Sequence, residues 1–549
     1  MKSIFRNSLL MLAAGAFAVS CADYNVTDNF TAEKDPSYVE PYKDLGPVKS
    51  YIDRVAYPNM SLGATLDVKT FNDQTLAHAA AVTNFDNLAF GKSLMSGSII
   101  NAKGVMDFAA MKDLLDHVYG EIYSEVFGSP IAANANQADN WYSVLTAPIE
   151  IRVDPVEGKT VNYNDSTAFH GTKTKGSASI VTYDKQKVLK IDPSSNVYIT
   201  EGFEVDSLAN YTVTFWAKAD KKATFSVNFS GTDVEGPAAG RFSVDPDGLW
   251  KRISVDAKSA SGVTEGFLRI DNTRATALYV RRVEMTYLPD NHRSQTPEEI
   301  RDTMTYALNT WCDGLMKNNA GRIKLFDLID EPIGTTELEN GMLDLRHTSS
   351  KVYWQDVFGS ENYAPKVSNS ASAAFARYDG NPADLKFFIS ETGLEEQKKF
   401  ESLMYWIGIW DAKGAKIDGI NAKMNLTYSE DATTQAANKD AVDKLLDNLA
   451  TTGKLIRLSN FDIKYQDADG NNVSAKDITA EQRQKLADYY AYVIKRYMEK
   501  IPHEKQLGIC KGNLSDTGDP VGLWAVDTKS KDWVRTATYE AFCNALSGK

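Results

Sequence analysis

Cys21 is the residue whose chemistry can be read from its neighbours alone. Lys2 and Arg6 form a positive start, an apolar stretch runs over residues 9–19, and Ala18-Val19-Ser20 places small residues just before the thiol. The apolar stretch is too short to span a bilayer. The pattern is that of a secretory signal of the lipoprotein type, in which cleavage precedes the Cys and its thiol carries lipid. The other Cys residues, 312, 510 and 543, sit in apolar stretches and read as buried thiols. Six His residues, at 78, 117, 170, 292, 347 and 503, are scattered singly. No metal-ligand spacing, phosphate-cradling loop, G-x-S-x-G elbow or dinucleotide fingerprint occurs, so the reading assigns no metal and no cofactor. Aromatic residues are plentiful, with 26 Tyr and 9 Trp among 549 residues, and such rings can serve as sugar platforms or as plain core.

The charge balance narrows the partners. Sixty Lys and Arg against 73 Asp and Glu leave a net charge of −13. Nucleic acid and anionic membrane surfaces both need a basic face, so neither is expected as the main partner. A mean hydropathy of −0.35 excludes a polytopic membrane protein. Contact with a membrane is expected only through the lipid on Cys21.

The elements that must position any site follow from the periodicity. After the signal (1–20), residues 21–45 are polar and read as a tether. Residues 108–117 have helical spacing. From 149 to about 290 the apolar period becomes two, as in segments 211–218, 223–229 and 252–256, which predicts an antiparallel β-sandwich. The alternation there assigns Trp216 to the core. Beyond 291, short apolar strands at 323–329, 385–389, 417–426, 455–463 and 507–510 alternate with helices, which predicts a parallel sheet covered by helices. Too few strands fit before residue 150 for a separate fold. Residues 46–148 and 291–549 are therefore expected to build one (β/α)8 TIM barrel, interrupted by the sandwich.

Several strands carry a family resemblance. Lys324-Leu-Phe-Asp-Leu-Ile-Asp-Glu-Pro332 resembles the W-D-V-V-N-E-A strand of glycoside hydrolase family 10, the xylanases. Ile417-Asp-Gly-Ile-Asn-Ala-Lys-Met-Asn-Leu426 resembles its I-D-G-I-G-x-Q-x-H strand, and Leu458-Ser-Asn-Phe-Asp462 its I-T-E-L-D strand. Thr83-Asn-Phe-Asp-Asn87 resembles T-P-E-N, and Gly128-Ser-Pro-Ile-Ala-Ala-Asn134 stands where the family has G-H-T-L-V-W-H. The insert resembles carbohydrate-binding modules of families 4, 9 and 22. The resemblance implies a barrel whose site lies at the C-terminal strand ends, and a retaining hydrolase with two carboxylates about 5–5.5 Å apart.

By that resemblance Glu331 holds the acid/base position. Asp330 replaces an Asn that donates to the sugar; beside Glu331 it is expected to raise one of the two pKa values. Adjacent strand residues point to opposite faces, so Asp330 is not expected to share a target with Glu331. Asn460 fills the nucleophile position, and an amide cannot form the glycosyl ester. Asp462, two residues on, shares its strand face and is a weak substitute. Lys423 and Asn425 replace the Gln and His of Q-x-H, while Asp86 and Asn87 stand near the sugar-binding E-N. The Trp that floors the family cleft is missing from Lys511–Leu514, and Trp141, Tyr142, Trp354 and Trp524 are candidate mouth aromatics. The expectation is a lipid-anchored, cell-surface protein of the outer membrane that binds a plant-type polysaccharide or oligosaccharide without cleaving it, beside an outer-membrane glycan transporter. The alternative is a rearranged hydrolase using Glu331 with Asp330, Asp462 or Glu391.

Overall fold

The computed structural model describes residues 42–549, apart from 123, 164–172, 201–202, 208, 232–237, 260–261, 263, 289–291 and 528–530. Cys21 and most of the expected tether lie outside the described residues. The described chain divides into two units: the barrel, made of residues 42–146 and 296–549, and Ala147–Gln295 between them.

The barrel contains eight parallel strands: β1 (Ser61–Thr65), β2 (Asn87–Ala89), β3 (Glu125–Gly128), β4 (Leu325–Asp330), β5 (Lys386–Thr392), β6 (Gly419–Ser429), β7 (Leu455–Gln466) and β8 (Gln506–Lys511). They pair in sequence order, β8 pairs with β1, and the β4–β5 pairing completes the closed ring. A helix follows each strand: α1 (Leu76–Asn84), α2 (Ala109–His117), α3 (Pro297–Asn319), α4 (Tyr363–Arg377), α5 (Gln397–Ala412), α6 (Ala432–Thr451), α7 (Ala480–Lys500) and α8 (Ala537–Leu546). The second unit interrupts the chain between β3 and α3.

Local chemistry sets the element ends. Thr296 caps α3 through a reciprocal box with Glu299, with Pro297 at the first helical position. Thr479 and Gln482 do the same for α7. On α3, Met304, Leu308, Trp311, Cys312 and Leu315 recur at helical spacing and are all buried. The Trp311 indole N–H donates to the Ile131 carbonyl at 2.9 Å, tying α3 to the chain just after β3. Trp141, Tyr142, Trp354 and Trp524 also belong to this core, each at most 6% exposed. They pack between elements and are not mouth aromatics. Cys312, Cys510 and Cys543 are free, buried thiols.

The lumen is filled unevenly. Phe127 on β3 and Phe388 on β5 meet at 5.3 Å between ring centroids. A Cβ at Gly419 of β6 would lie 2.1 Å from the Phe388 ring, so only glycine leaves room for that aromatic. Beside these rings the inward positions are polar, against the usual branched apolar filling of such barrels.

The second unit has two antiparallel sheets. One orders Ala238–Val244, Ala223–Gly231, Glu265–Asn272, Ser195–Tyr198 and Lys173–Lys175; the other orders Lys251–Lys258, Asn210–Lys218, Leu278–Leu288, Gln186–Ile191 and Ala178–Tyr183. Tyr211, Val213, Phe215 and Ala217 point into its core. Trp216 does not: it falls on the other side of that alternation, half-buried, with the Arg281 guanidinium 5.9 Å from its ring. Its expected core role fails because period two sends neighbours of Phe215 outward. His292–Arg293 pairs with Ile149–Glu150. These residues belong to the insert, which therefore runs slightly past the expected boundary at 290.

Candidate functional site

The end of β4 carries the first half of the site. Asp330 is its last residue, and Glu331 follows with φ +46°, in the left-handed region that costs a non-glycine residue about 1–3 kcal/mol. Fixed partners hold this kink. The Glu331 N–H donates to the Ser390 carbonyl at 2.7 Å. Its carbonyl accepts from Arg346 Nε at 2.7 Å and from Asn134 Nδ2 at 3.4 Å. The kink breaks strand alternation. Asp330 and Glu331 thus converge on one ammonium: Lys423 Nζ bonds Asp330 Oδ1 directly and Glu331 Oε1 at 3.1 Å. Sequence alternation had sent the two carboxylates to opposite faces.

The electrostatics follow from that convergence. Burial pushes the Glu331 carboxyl up, but Lys423, aided by Arg346 and Lys399, outweighs it and holds the pKa below the usual carboxylate value. Burial disfavours the Lys423 ammonium, yet Asp330 and Glu331 more than compensate, and its pKa stands well above normal. For Glu331 the expected rise is outweighed by the cation beside it. A general acid working near neutral pH needs its pKa raised; Glu331 is shifted the other way.

The second half comes from β6 and β7. Lys423 pairs with Ser459, but the next matched pair is Asn425 with Asp462, so β7 holds one extra residue. This bulge contains Asn460, at φ +46°, which Asn tolerates better than most side chains. Asn460 lines a cavity of about 270 Å³ together with Asp330, Lys423, Ser129, Thr65 and Lys92. Asp462 is engaged elsewhere. Lys511 Nζ bonds its Oδ1, and Asn513 Nδ2 donates to its Oδ2 at 2.6 Å. Lys511 is enclosed, and burial holds its ammonium below the usual value although Asp462 opposes this. Asp462 is thus a clamp on the loop after β8, not a stand-in nucleophile. Its expected shared face with Asn460 is removed by the bulge.

Deeper in the lumen lies a cluster that residue-by-residue matching overlooked. Asn421 Nδ2 donates to both carboxylate oxygens of Asp327 at 3.0 Å, and its Oδ1 accepts from Arg457 Nη1 at 3.4 Å. The Arg457 guanidinium carbon lies 3.9 Å from the Phe127 ring centroid. Burial raises the Asp327 pKa to about 7, with Arg457 opposing. All three line the same cavity as Asn460. The available signal was a charged residue embedded in each apolar strand, as in Leu325-Phe-Asp-Leu and Leu455-Ile-Arg-Leu.

The remaining candidates fall outside this centre. Asp86 and Asn87 sit where β2 begins, whereas Ala89, Gly91 and Lys92 at its far end line the cavity. Asp86 pairs with Arg54 at 2.9 Å and accepts from the Leu62 N–H at 2.8 Å; Asn87 bonds Ser61. Both are structural, because a parallel strand delivers only its C-terminal residues to the site. Asn425 is exposed and does not line the cavity. Glu391 is wholly enclosed, accepting from the Ile333 and Thr392 N–H groups and from Lys399 at 3.0 Å. Trp533 was not anticipated. It lines an adjoining pocket of about 400 Å³ that shares Thr65, Gly91 and Lys92 with the central cavity. Among the described residues no cluster of His, Cys, Asp and Glu could hold a metal ion.

Residues 286–518 match the family model of glycosyl hydrolase family 10. Solved structures of xylanases share the architecture. An endoxylanase of that family retrieved from a sugarcane soil metagenome is 9% identical with a TM-score of 0.52, the match covering 91% of this chain and 100% of that one. Xylanase B from Clostridium stercorarium F9 is 10% identical with a TM-score of 0.51 over the same shares, 91% and 100%. Xylanase XynB from Paenibacillus barcinonensis is 9% identical with a TM-score of 0.50, covering 91% and 98%. No curated protein matches this chain. The fold is a (β/α)8 barrel, the architecture of these xylanase structures.

Proposed function

We propose that this protein binds a plant-type polysaccharide, xylan or a related glycan, on a xylanase-type barrel that has lost hydrolysis. The observation that carries the reading is the pairing at the two reacting positions. By the strand resemblance Asn460 holds the family's nucleophile position, and Lys423 and Arg346 keep Glu331 ionised. A retaining hydrolase needs one carboxylate to attack the anomeric carbon and a protonated one to release the leaving group. An amide cannot do the first, and a carboxylate held ionised by cations is poorly set for the second.

The groups needed by a rearranged hydrolase are otherwise committed. Asp330 is bound by Lys423 and Ser390, Asp462 by Lys511 and Asn513, and Glu391 is wholly buried. What the barrel retains suits binding: a central cavity, an adjoining pocket with Trp533, and polar side chains around both. The xylanase activity in the names of the structural neighbours is the reason for placing xylan first among glycans. Display through a lipid on Cys21, at the outer face of the outer membrane beside a glycan transporter, completes the proposal, and the insert adds a second glycan-binding face. A glycan-array screen paired with a reducing-sugar assay tests it. Binding without release of reducing ends is expected; xylan cleavage abolished by Glu331→Gln would overturn it.

A further inference from the structure

Arg457 is a buried cation whose hydrogen-bonding capacity the barrel leaves partly unfilled. Its side chain points into the central cavity and the residue is only 4% exposed. Nη1 reaches Asn421 Oδ1 at 3.4 Å, the guanidinium carbon lies 3.9 Å from the Phe127 ring centroid, and Nη2 has no hydrogen-bond partner. The nearby anions are spoken for. Both oxygens of Asp327 accept from Asn421, which stands between that carboxylate and the guanidinium. Asp330 is bound by Lys423 and Ser390. A buried cation normally has a carboxylate partner, because desolvation without one is unfavourable. An Arg with an open N–H beside a cavity is therefore incomplete, and its planar fork matches a carboxylate best.

We propose that the central cavity receives the carboxylate of an acidic sugar, a uronate unit, with Arg457 Nη2 as the principal donor. This inference rests on the glycan-binding reading and specifies the class of glycan. Size agrees: about 270 Å³ is at the small end of ligand pockets and suits one ring, not a length of chain. Charge agrees as well. Arg457, Lys92 and Lys423 line the cavity against Asp327 and Asp330; Lys423 is already shared between Asp330 and Glu331, while Lys92 is exposed at the rim. Contact with Phe127 and the bond to Asn421 hold the guanidinium, so the donor is set before the ligand arrives.

The test is calorimetric titration of the whole protein with xylo-oligosaccharides bearing a glucuronate unit, with the same oligosaccharides after reduction of the carboxyl to an alcohol, and with undecorated ones. The uronate form is expected to bind at least tenfold tighter than its reduced counterpart. Arg457→Met should abolish that preference, so that uronate and reduced forms bind alike, and Arg457→Lys, which keeps charge without the fork, should retain only part of it. Circular dichroism confirms that each variant is folded; if Arg457→Met is not, Arg457→Lys decides the siting. Equal binding of uronate and reduced forms overturns the inference and leaves glycan binding intact. A preference that survives at full strength in the variants places the acidic-sugar site elsewhere and also overturns it. No binding of any oligosaccharide would remove the glycan-binding reading as well.

Discussion

Replacing Lys423 by Met tests whether Asp330 and Glu331 are parts of an ion cluster. The ammonium is 15% exposed and touches Asp330, itself 13% exposed, and Glu331, 34% exposed. Removing one partner of a buried ion pair costs about 3–5 kcal/mol. The Glu331 side is open enough for water to screen it, and exposed pairs contribute ~0–1 kcal/mol. The Asp330 side therefore dominates, and the expected loss at pH 7 is ~2–4 kcal/mol. Its pH dependence is more diagnostic than its size. In the wild type Glu331 titrates below its ordinary value of 4.5, so its stabilisation is present above that value and is lost as pH falls through the folded pKa. Without Lys423 the two carboxylates repel, and the variant gains relative stability as either is protonated. Urea unfolding followed by circular dichroism at pH 7, 5 and 3.5 should show a deficit that is largest at pH 7 and shrinks towards acid. A deficit independent of pH, or none at pH 7, would refute the ion-cluster account.

Asn460→Glu is expected not to restore xylan turnover in a reducing-sugar assay, because Lys423 still neutralises Glu331 and the kinked backbone at Asn460 aims the new carboxylate without a matching acid. Clear hydrolysis by that variant would show that one lost carboxylate was the whole defect. Asp327 has a folded pKa of about 7 against an ordinary 3.8, so the native state binds its proton more tightly and stability should fall as pH rises between those values. Asp327→Asn should flatten that fall in urea midpoints taken from pH 4 to 8; an unchanged slope would contradict it. Cys21→Ala should shift the protein from the membrane fraction to the soluble one, and unchanged fractionation would exclude the lipid anchor.

The sequence by itself determined the class of fold and its interruption. Period-two alternation in 211–218, apolar runs at strand spacing after residue 300, and the capping box at Thr296 are local signals, set by side-chain direction and backbone hydrogen bonding along the chain. They needed no partner to be legible. The amide of Asn460, at the position the resemblance gives to the nucleophile, was likewise legible as a residue identity. Only the tertiary structure decided where side chains aim. Two left-handed residues, Glu331 and Asn460, and one extra residue in β7 reverse the alternation at the strand ends. That brings Asp330 and Glu331 onto Lys423 and sends Asp462 to Lys511, contacts spanning up to 93 positions that no local period encodes. Asp86 and Asn87 resembled a sugar-binding pair in composition, yet they stand at the wrong end of β2, because a motif match carries residue types but not the strand end they occupy. Arg457 shows the same limit from the other side: a lone charge in an apolar strand is visible in the chain, but closing the ring alone places it against Phe127 with Nη2 unused.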